Sequence, residues 1–181
     1  MELSRRALLG TGAVTTLSTA LPRLTRAQGA ANTIRIGVLT DMSGMYRDNT
    51  GPTAVACARQ AAAEFGNRGF TVEVIEADHQ NRPDVGANLA RQWFDQGVDV
   101  VLDVPTSSVA LAVNQVAREK NKVMLNSGAA TSDLTGAQCS PNTIHWTYDT
   151  WMLARSNGGA TVRAGGDTWF FLTADYAFGH A

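Results

Sequence analysis

The chain has 181 residues, 44% of them hydrophobic and 17% charged, and a net charge of −1. That length holds one domain, or one and part of a second, and the composition is that of a globular chain with fewer charges than the usual quarter. No basic patch or run follows the first residues, so nucleic-acid binding has no electrostatic support. The two cysteines, Cys57 and Cys139, are too few and too far apart for a zinc site or a disulfide framework.

Ser4-Arg5-Arg6-Ala7-Leu8-Leu9 opens the chain and a mild apolar stretch runs from Gly10 to Leu21, followed by Arg23, Arg26 and Ala27. A paired arginine ahead of an apolar stretch is the pattern of a twin-arginine export signal. Thr25 and Ala27 supply the small residues of a cleavage site after Ala27. Residues 1–27 are therefore expected to be a signal peptide outside the fold. The apolar stretch is short and broken by glycine and threonine, unlike a transmembrane helix, and no other segment is long enough to span a bilayer.

From Ile34 onward strands and helices alternate. Ile34–Thr40 is a predicted strand, followed by the loop Asp41-Met42-Ser43-Gly44-Met45-Tyr46. Thr50–Phe65 is a predicted helix with Val55, Ala58, Ala62 and Phe65 on its buried face and Cys57 nearer the polar side. Phe70–Ala77 is the second strand. The loop from Asp78 to Asp84 ends in helix-start chemistry, with Pro83 in the first turn. The second helix carries Val85, Leu89 and Trp93 on one side and stops at Gly97.

Val98–Val104 is short, apolar and β-branched, as a buried parallel strand is. Pro105-Thr106-Ser107-Ser108 follows, and then a helix to Lys120 with Val109, Ala112, Val113 and Val116 on one face. A helix that starts at a serine pair leaves N–H groups open at its N-terminus, a place suited to a small anion. The competing reading is that Ser107 or Ser108 only caps the helix. Val123–Leu125 is the fourth strand, and its loop, Asn126 to Leu134, is again rich in small and hydroxyl residues.

This order predicts an α/β fold: a Rossmann-like parallel sheet with helices on both faces and right-handed crossovers. The ends of strands one, three and four then converge on one edge, where ligands bind in such sheets. Beyond Leu134 the pattern loosens. Thr135–Asn142 is a polar loop, Ile144–Tyr148 a short strand, and Tyr148–Arg163 a helix disturbed by Gly158-Gly159. Trp169–Leu172 is a very apolar predicted strand with no sheet of its own to join, expected to pack loosely.

Dinucleotide and nucleotide-triphosphate fingerprints are missing, as are H-E-x-x-H and G-x-S-x-G, so no cofactor, metal site or nucleophile is indicated. Asp78-His79 reads as a solvent-facing loop pair rather than a catalytic dyad. Asp41 and Asp103, at strand ends, read as caps or as rim groups in contact with water.

Four motifs together resemble one family. They are Ile34–Thr40 with Ser43-Gly44, the loop Thr106-Ser107-Ser108, the loop Ser127-Gly128-Ala129-Ala130-Thr131 before Asp133-Leu134-Thr135, and Asp175-Tyr176-Ala177-Phe178-Gly179. They are similar to the leucine/isoleucine/valine-binding proteins, periplasmic solute-binding proteins of ABC transporters with the type I fold. The resemblance covers Ile34 to the end and implies an N-terminal part of a two-lobed protein. The first lobe then spans residues 28–147, and residues 148–181 hold the crossover and the first strand of a second lobe that is only begun.

The same resemblance implies a binding protein and not an enzyme, a monomer without a cofactor, located in the periplasm. Its partners would be a small-molecule carboxylate (a branched-chain or other amino acid, or an aromatic acid) and a membrane permease. It assigns the carboxylate to Ser107 or Ser108, with Ala129, Ala130 and Thr131, and the ligand's apolar body to Tyr46 and Tyr176. Ala177 stands where the family usually has glycine. The family's first-lobe disulfide has no evident partner here, so no Cys57–Cys139 bond is expected. An exported α/β enzyme acting on a small carboxylate or amide, and a ligand-sensing receptor domain, are the alternatives.

Overall fold

A computed structural model of the chain describes residues 32–66 and 69–181; the predicted export signal lies outside them. Five strands form one wholly parallel sheet: β1 (Thr33–Thr40), β2 (Thr71–Asp78), β3 (Val100–Asp103), β4 (Val123–Asn126) and β5 (Thr143–His145), in the order β2-β1-β3-β4-β5. Three long helices connect the first four: α1 (Gly51–Phe65), α2 (Pro83–Asp95) and α3 (Ser107–Lys120). The chain moves outward from β1 to β2, then reverses to β3 and β4. Right-handed crossovers therefore place α1 on one face and α2 and α3 on the other. The reversal leaves a crevice beyond the carboxyl ends of β1 and β3.

Side chains alternate between the two faces along each strand. Leu39, Val101 and Met124 pack in one core with Trp93 and Phe94 of α2 and Val109, Val113 and Ala117 of α3. Gly37 is required beneath Trp93, because a Cβ there would lie 2.4 Å from the indole ring. Of the predicted Val85, Leu89 and Trp93, Trp93 is buried and Leu89 packs half-buried against the core, while Gly86, Ala90 and Phe94 complete the buried side of α2. Small residues win the central positions because α2 and α3 approach closely: a Cβ on Gly86 would meet Val109 Cγ1 at 2.4 Å.

The opposite face is thinly covered. Ile36, Leu102 and Val72 look toward Ala58, Ala61, Ala62 and Phe65 of α1 across an open groove. Of the predicted buried face of α1 only Val55 is buried; Ala58 and Ala62 are half-buried and Phe65 is exposed. Cys57 and Cys139 are both exposed and unbonded.

Beyond β5 the predicted helix starts at Thr150, not Tyr148, because Asp149 caps it by accepting from Met152 N–H at 2.7 Å. It runs as α4 (Thr150–Leu153), a π-helical segment (Ala154–Gly158) and α5 (Gly159–Arg163). The predicted second-lobe strand Trp169–Leu172 is not formed. No strand pairs with it among the described residues, and Phe170 and Leu172 are 92% and 96% exposed. A strand exists only through a neighbour's hydrogen bonds, and this segment has none. No helix among the described residues is long and apolar enough to cross a membrane.

Candidate ligand-binding site at the carboxyl edge

The loop after β1 is built on two aspartates. Asp41, fully buried, accepts from the N–H groups of Gly44 at 2.7 Å and Tyr46 at 2.9 Å. Asp78, at the end of β2, accepts from Met42 N–H at 3.0 Å and Ser43 Oγ at 2.6 Å. Burial raises the Asp78 pKa, but the bonds from Ser43, Met42 and Gln80 outweigh it and hold the carboxyl below the ordinary range. Both aspartates act as structural acceptors, and together they fix Tyr46 over the crevice. The neighbouring His79 is fully buried, contrary to the solvent-facing expectation. Its Nδ1 accepts from Asn81 N–H at 3.0 Å while Nε2 meets no partner. Burial lowers its pKa against the opposing pull of Asp41 and Asp78.

The loops after β3 and β4 are tied together. Asp103 and Val104 leave β3 with φ of 82° and 50°, a left-handed turn that L-residues rarely adopt. Asn126, fully buried, donates its side-chain amide to the carbonyls of Asp103 and Val104 at 3.0 and 2.9 Å and accepts from Ala129 N–H at 3.1 Å. Gly128 lies against Pro105, whose Cα would be 2.7 Å from an added Cβ. Asp103 is 4% exposed and accepts from Ser127 Oγ at 2.9 Å. Burial pushes its carboxyl above the ordinary range, against hydrogen bonds with Thr40 and Ser127.

Helix α3 begins at Ser107, with Thr106 at the cap position. The Thr106 hydroxyl is buried and makes no hydrogen bond, and no side chain caps the helix. Neither serine therefore caps α3, and its first-turn N–H groups stay open. Ser107 instead accepts from Thr131 N–H at 3.2 Å. Thr131 Oγ1 accepts from Asp133 N–H at 3.3 Å and so caps the short 3-10 turn Ser132–Leu134. The His145 ring Nε2 donates to the Ala129 carbonyl at 2.7 Å, and Thr150 N–H donates to the Ala130 carbonyl at 2.7 Å.

These loops enclose a cavity of about 270 Å³ lined by Tyr46, Asn49, Thr50, Pro105, Ser107, Ser127, Gly128, Ala130, Tyr148, Tyr176 and Phe178. No carboxylate, lysine or arginine is among them. Of the residues expected from sequence, Tyr46, Ser107, Ala130 and Tyr176 meet in this lining. Ser108 sits half-buried in the first turn of α3, and Ala129 and Thr131 are fully buried behind the wall. The Tyr46 and Tyr176 hydroxyls are hydrogen-bonded to each other, with the rings edge-on at 6.4 Å. Burial and the Tyr46 hydroxyl push the Tyr176 phenol well above its ordinary value. Ser127 and Phe178 stand in the motifs read from sequence but carry no role there, and Tyr148 reads as the junction of a strand and a helix; all three line the cavity.

A parallel α/β sheet with a small uncharged cavity at its carboxyl edge, and an open helix N-terminus in its wall, defines a class of ligand-binding lobe. Residues 33–181 match the family model described as periplasmic binding protein, and the chain belongs to that family. Its fold is that of the type I periplasmic binding proteins. A periplasmic binding protein of Burkholderia mallei is 48% identical, with a TM-score of 0.80 over 83% of this chain and 41% of that one. A branched-chain amino acid ABC transporter periplasmic ligand-binding protein of Burkholderia xenovorans is 35% identical, with a TM-score of 0.72 over 81% of this chain and 40% of that one. An ABC transporter solute-binding protein of R. palustris in complex with benzoate shares the fold at 23% identity, with a TM-score of 0.75 over 82% of this chain and 42% of that one. The chain thus spans about two-fifths of the length of these structures. No curated protein matches it.

Proposed function

We propose that this chain is the ligand-gripping first lobe of an exported solute-binding protein of an ABC transporter, one that captures a small carboxylate and presents it to a membrane permease. The observation that carries this reading is the uncapped N-terminus of α3 at Ser107 in the wall of a cavity without charged side chains. Open N–H groups and a hydroxyl hold a carboxylate by charge-assisted hydrogen bonds, and the helix dipole favours the negative charge. Each such bond is worth about 1.5–3 kcal/mol. In this reading Ser107 meets the carboxylate directly and Ser108 contributes its backbone N–H. Ala130 forms the wall, which Ala129 and Thr131 hold in place from behind. Tyr46 and Tyr176 cover the apolar body of an amino acid or aromatic acid. The relative from Burkholderia xenovorans is a branched-chain amino acid transporter component by its description.

The protein acts by binding and release rather than by catalysis, as a monomer in the periplasm, and Arg5-Arg6 direct its export. Calorimetry on the full-length protein with paired acids and primary amides tests the ligand class. The acids are expected to bind at least about tenfold tighter, since one lost charge-assisted bond is worth that much. Equal affinity for acid and amide would remove the carboxylate from the reading.

A further inference from the structure

Two serines meet the same cavity with opposite hydrogen-bonding polarity. Ser107 Oγ accepts from Thr131 N–H at 3.2 Å, and its own proton goes to no partner among the described residues. It is left able to donate. Ser127 Oγ donates to Asp103 Oδ1 at 2.9 Å. A hydroxyl carries one proton, so Ser127 has only lone pairs left for the cavity that it lines.

The proton of Ser127 is held in place by a rigid acceptor. Asp103 is 4% exposed, its backbone carbonyl accepts from the Asn126 amide at 3.0 Å, and Ser127 N–H also donates to that carbonyl at 3.3 Å. The second carboxylate oxygen, Oδ2, is buried without a partner, and besides Ser127 the one hydroxyl acting on this carboxyl among the described residues is that of Thr40. The Ala129 and Ala130 carbonyls nearby already accept from His145 and Thr150.

We propose that Ser127 is a specificity-determining residue, oriented by Asp103 as a positioning residue, and that it selects carboxylates which also carry a hydrogen-bond donor, an ammonium or a hydroxyl. The proposal rests on the carboxylate reading of the site and adds a second requirement to it. The ligand's acid end meets the donating serine, Ser107, and its donor meets the accepting serine, Ser127.

Calorimetry on the full-length protein tests this with five probes: leucine, its 2-hydroxy analogue, 4-methylpentanoate, 4-hydroxybenzoate and benzoate. In whichever series binds, the donor-bearing member is expected to bind at least tenfold tighter than its donor-free partner, and leucine against the hydroxy acid tells ammonium from hydroxyl. Ser127→Ala should abolish that preference while leaving the donor-free acid within twofold, and Ser127→Thr, which keeps the hydroxyl, should restore it. Asp103→Ala should weaken the preference at least threefold with its melting temperature recorded alongside; Ser127→Ala decides the matter if that variant does not fold. A wild-type protein that binds acids without donor preference, or a preference that survives Ser127→Ala, overturns the proposal and leaves the carboxylate reading standing. Failure of all five acids to bind overturns both.

Discussion

The side-chain amide of Asn126 donates to the backbone carbonyl of Asp103 at 3.0 Å, and through that bond the exit of β4 holds the exit of β3 in its left-handed turn. A second bond to the Val104 carbonyl and a third from Ala129 N–H make Asn126 the junction of the two loops that wall the cavity. Asn126→Ala takes their side-chain partner from the Val104 carbonyl and the Ala129 N–H and leaves the Asp103 carbonyl with Ser127 N–H alone, each buried group left unpaired costing about 1–3 kcal/mol. The variant is expected to lose about 3 kcal/mol or more in urea unfolding of the full-length protein. Replacement by Asp, which keeps an acceptor but no donor, should not restore the loss.

Gly128 is the point of closest approach between the same loops. A methyl group there would stand 2.7 Å from Pro105 Cα, a backbone atom that cannot rotate away. Gly128→Ala is expected to cost about 1–3 kcal/mol in stability, as overpacking does. It should also weaken ligand binding measured by calorimetry, because the Ser127–Ala130 wall must shift. Wild-type stability together with wild-type affinity would show that the loop is softer than its packing indicates.

His79 carries a pH dependence whose sign is fixed by its burial. Its folded-state pKa lies below the ordinary value of 6.5, while the unfolded chain titrates near 6.5. The folded state therefore binds fewer protons than the unfolded one across that window. Its contribution to stability is complete above about pH 6.5 and is lost as pH falls below it. Urea midpoints of wild type and His79→Gln at about pH 5 and pH 7.5 should show a smaller acid loss in the variant. An equal acid loss in both would assign it to other groups.

Arg5-Arg6→Lys-Lys is expected to abolish the appearance of mature protein outside the cytoplasm, measured by fractionation and immunoblot. Unchanged export would remove the twin-arginine reading of residues 1–27.

The strands were legible because parallel strands buried on both faces are near-continuous β-branched runs, as in Ile34–Thr40 and Val98–Val104. The phase of α2 was harder to read. Hydrophobicity points to Val85 and Leu89, but the close approach to Val109 selects Gly86 and Ala90 for the centre. Trp169–Leu172 has the composition of a strand and no neighbour to make it one. In the site, the converging loops were readable from their small and hydroxyl residues, but the orientation of each side chain was not. Ser107 and Ser108 are one helical residue apart, a rotation of about 100°, and only Ser107 reaches the cavity. Asp103 and Asn126 look like ordinary strand-end residues until the register of β3 and β4 sets them side by side and the left-handed turn at Asp103-Val104 follows.

The most direct measurement is a crystal structure of the full-length protein with a bound acid taken from those that bind by calorimetry. The expected result is a carboxylate oxygen within about 3.2 Å of Ser107 Oγ, at hydrogen-bonding distance, at the open end of α3 with no arginine or lysine of this lobe in contact. A carboxylate paired with a cationic side chain of this lobe, or lying away from the α3 N-terminus, would contradict the account.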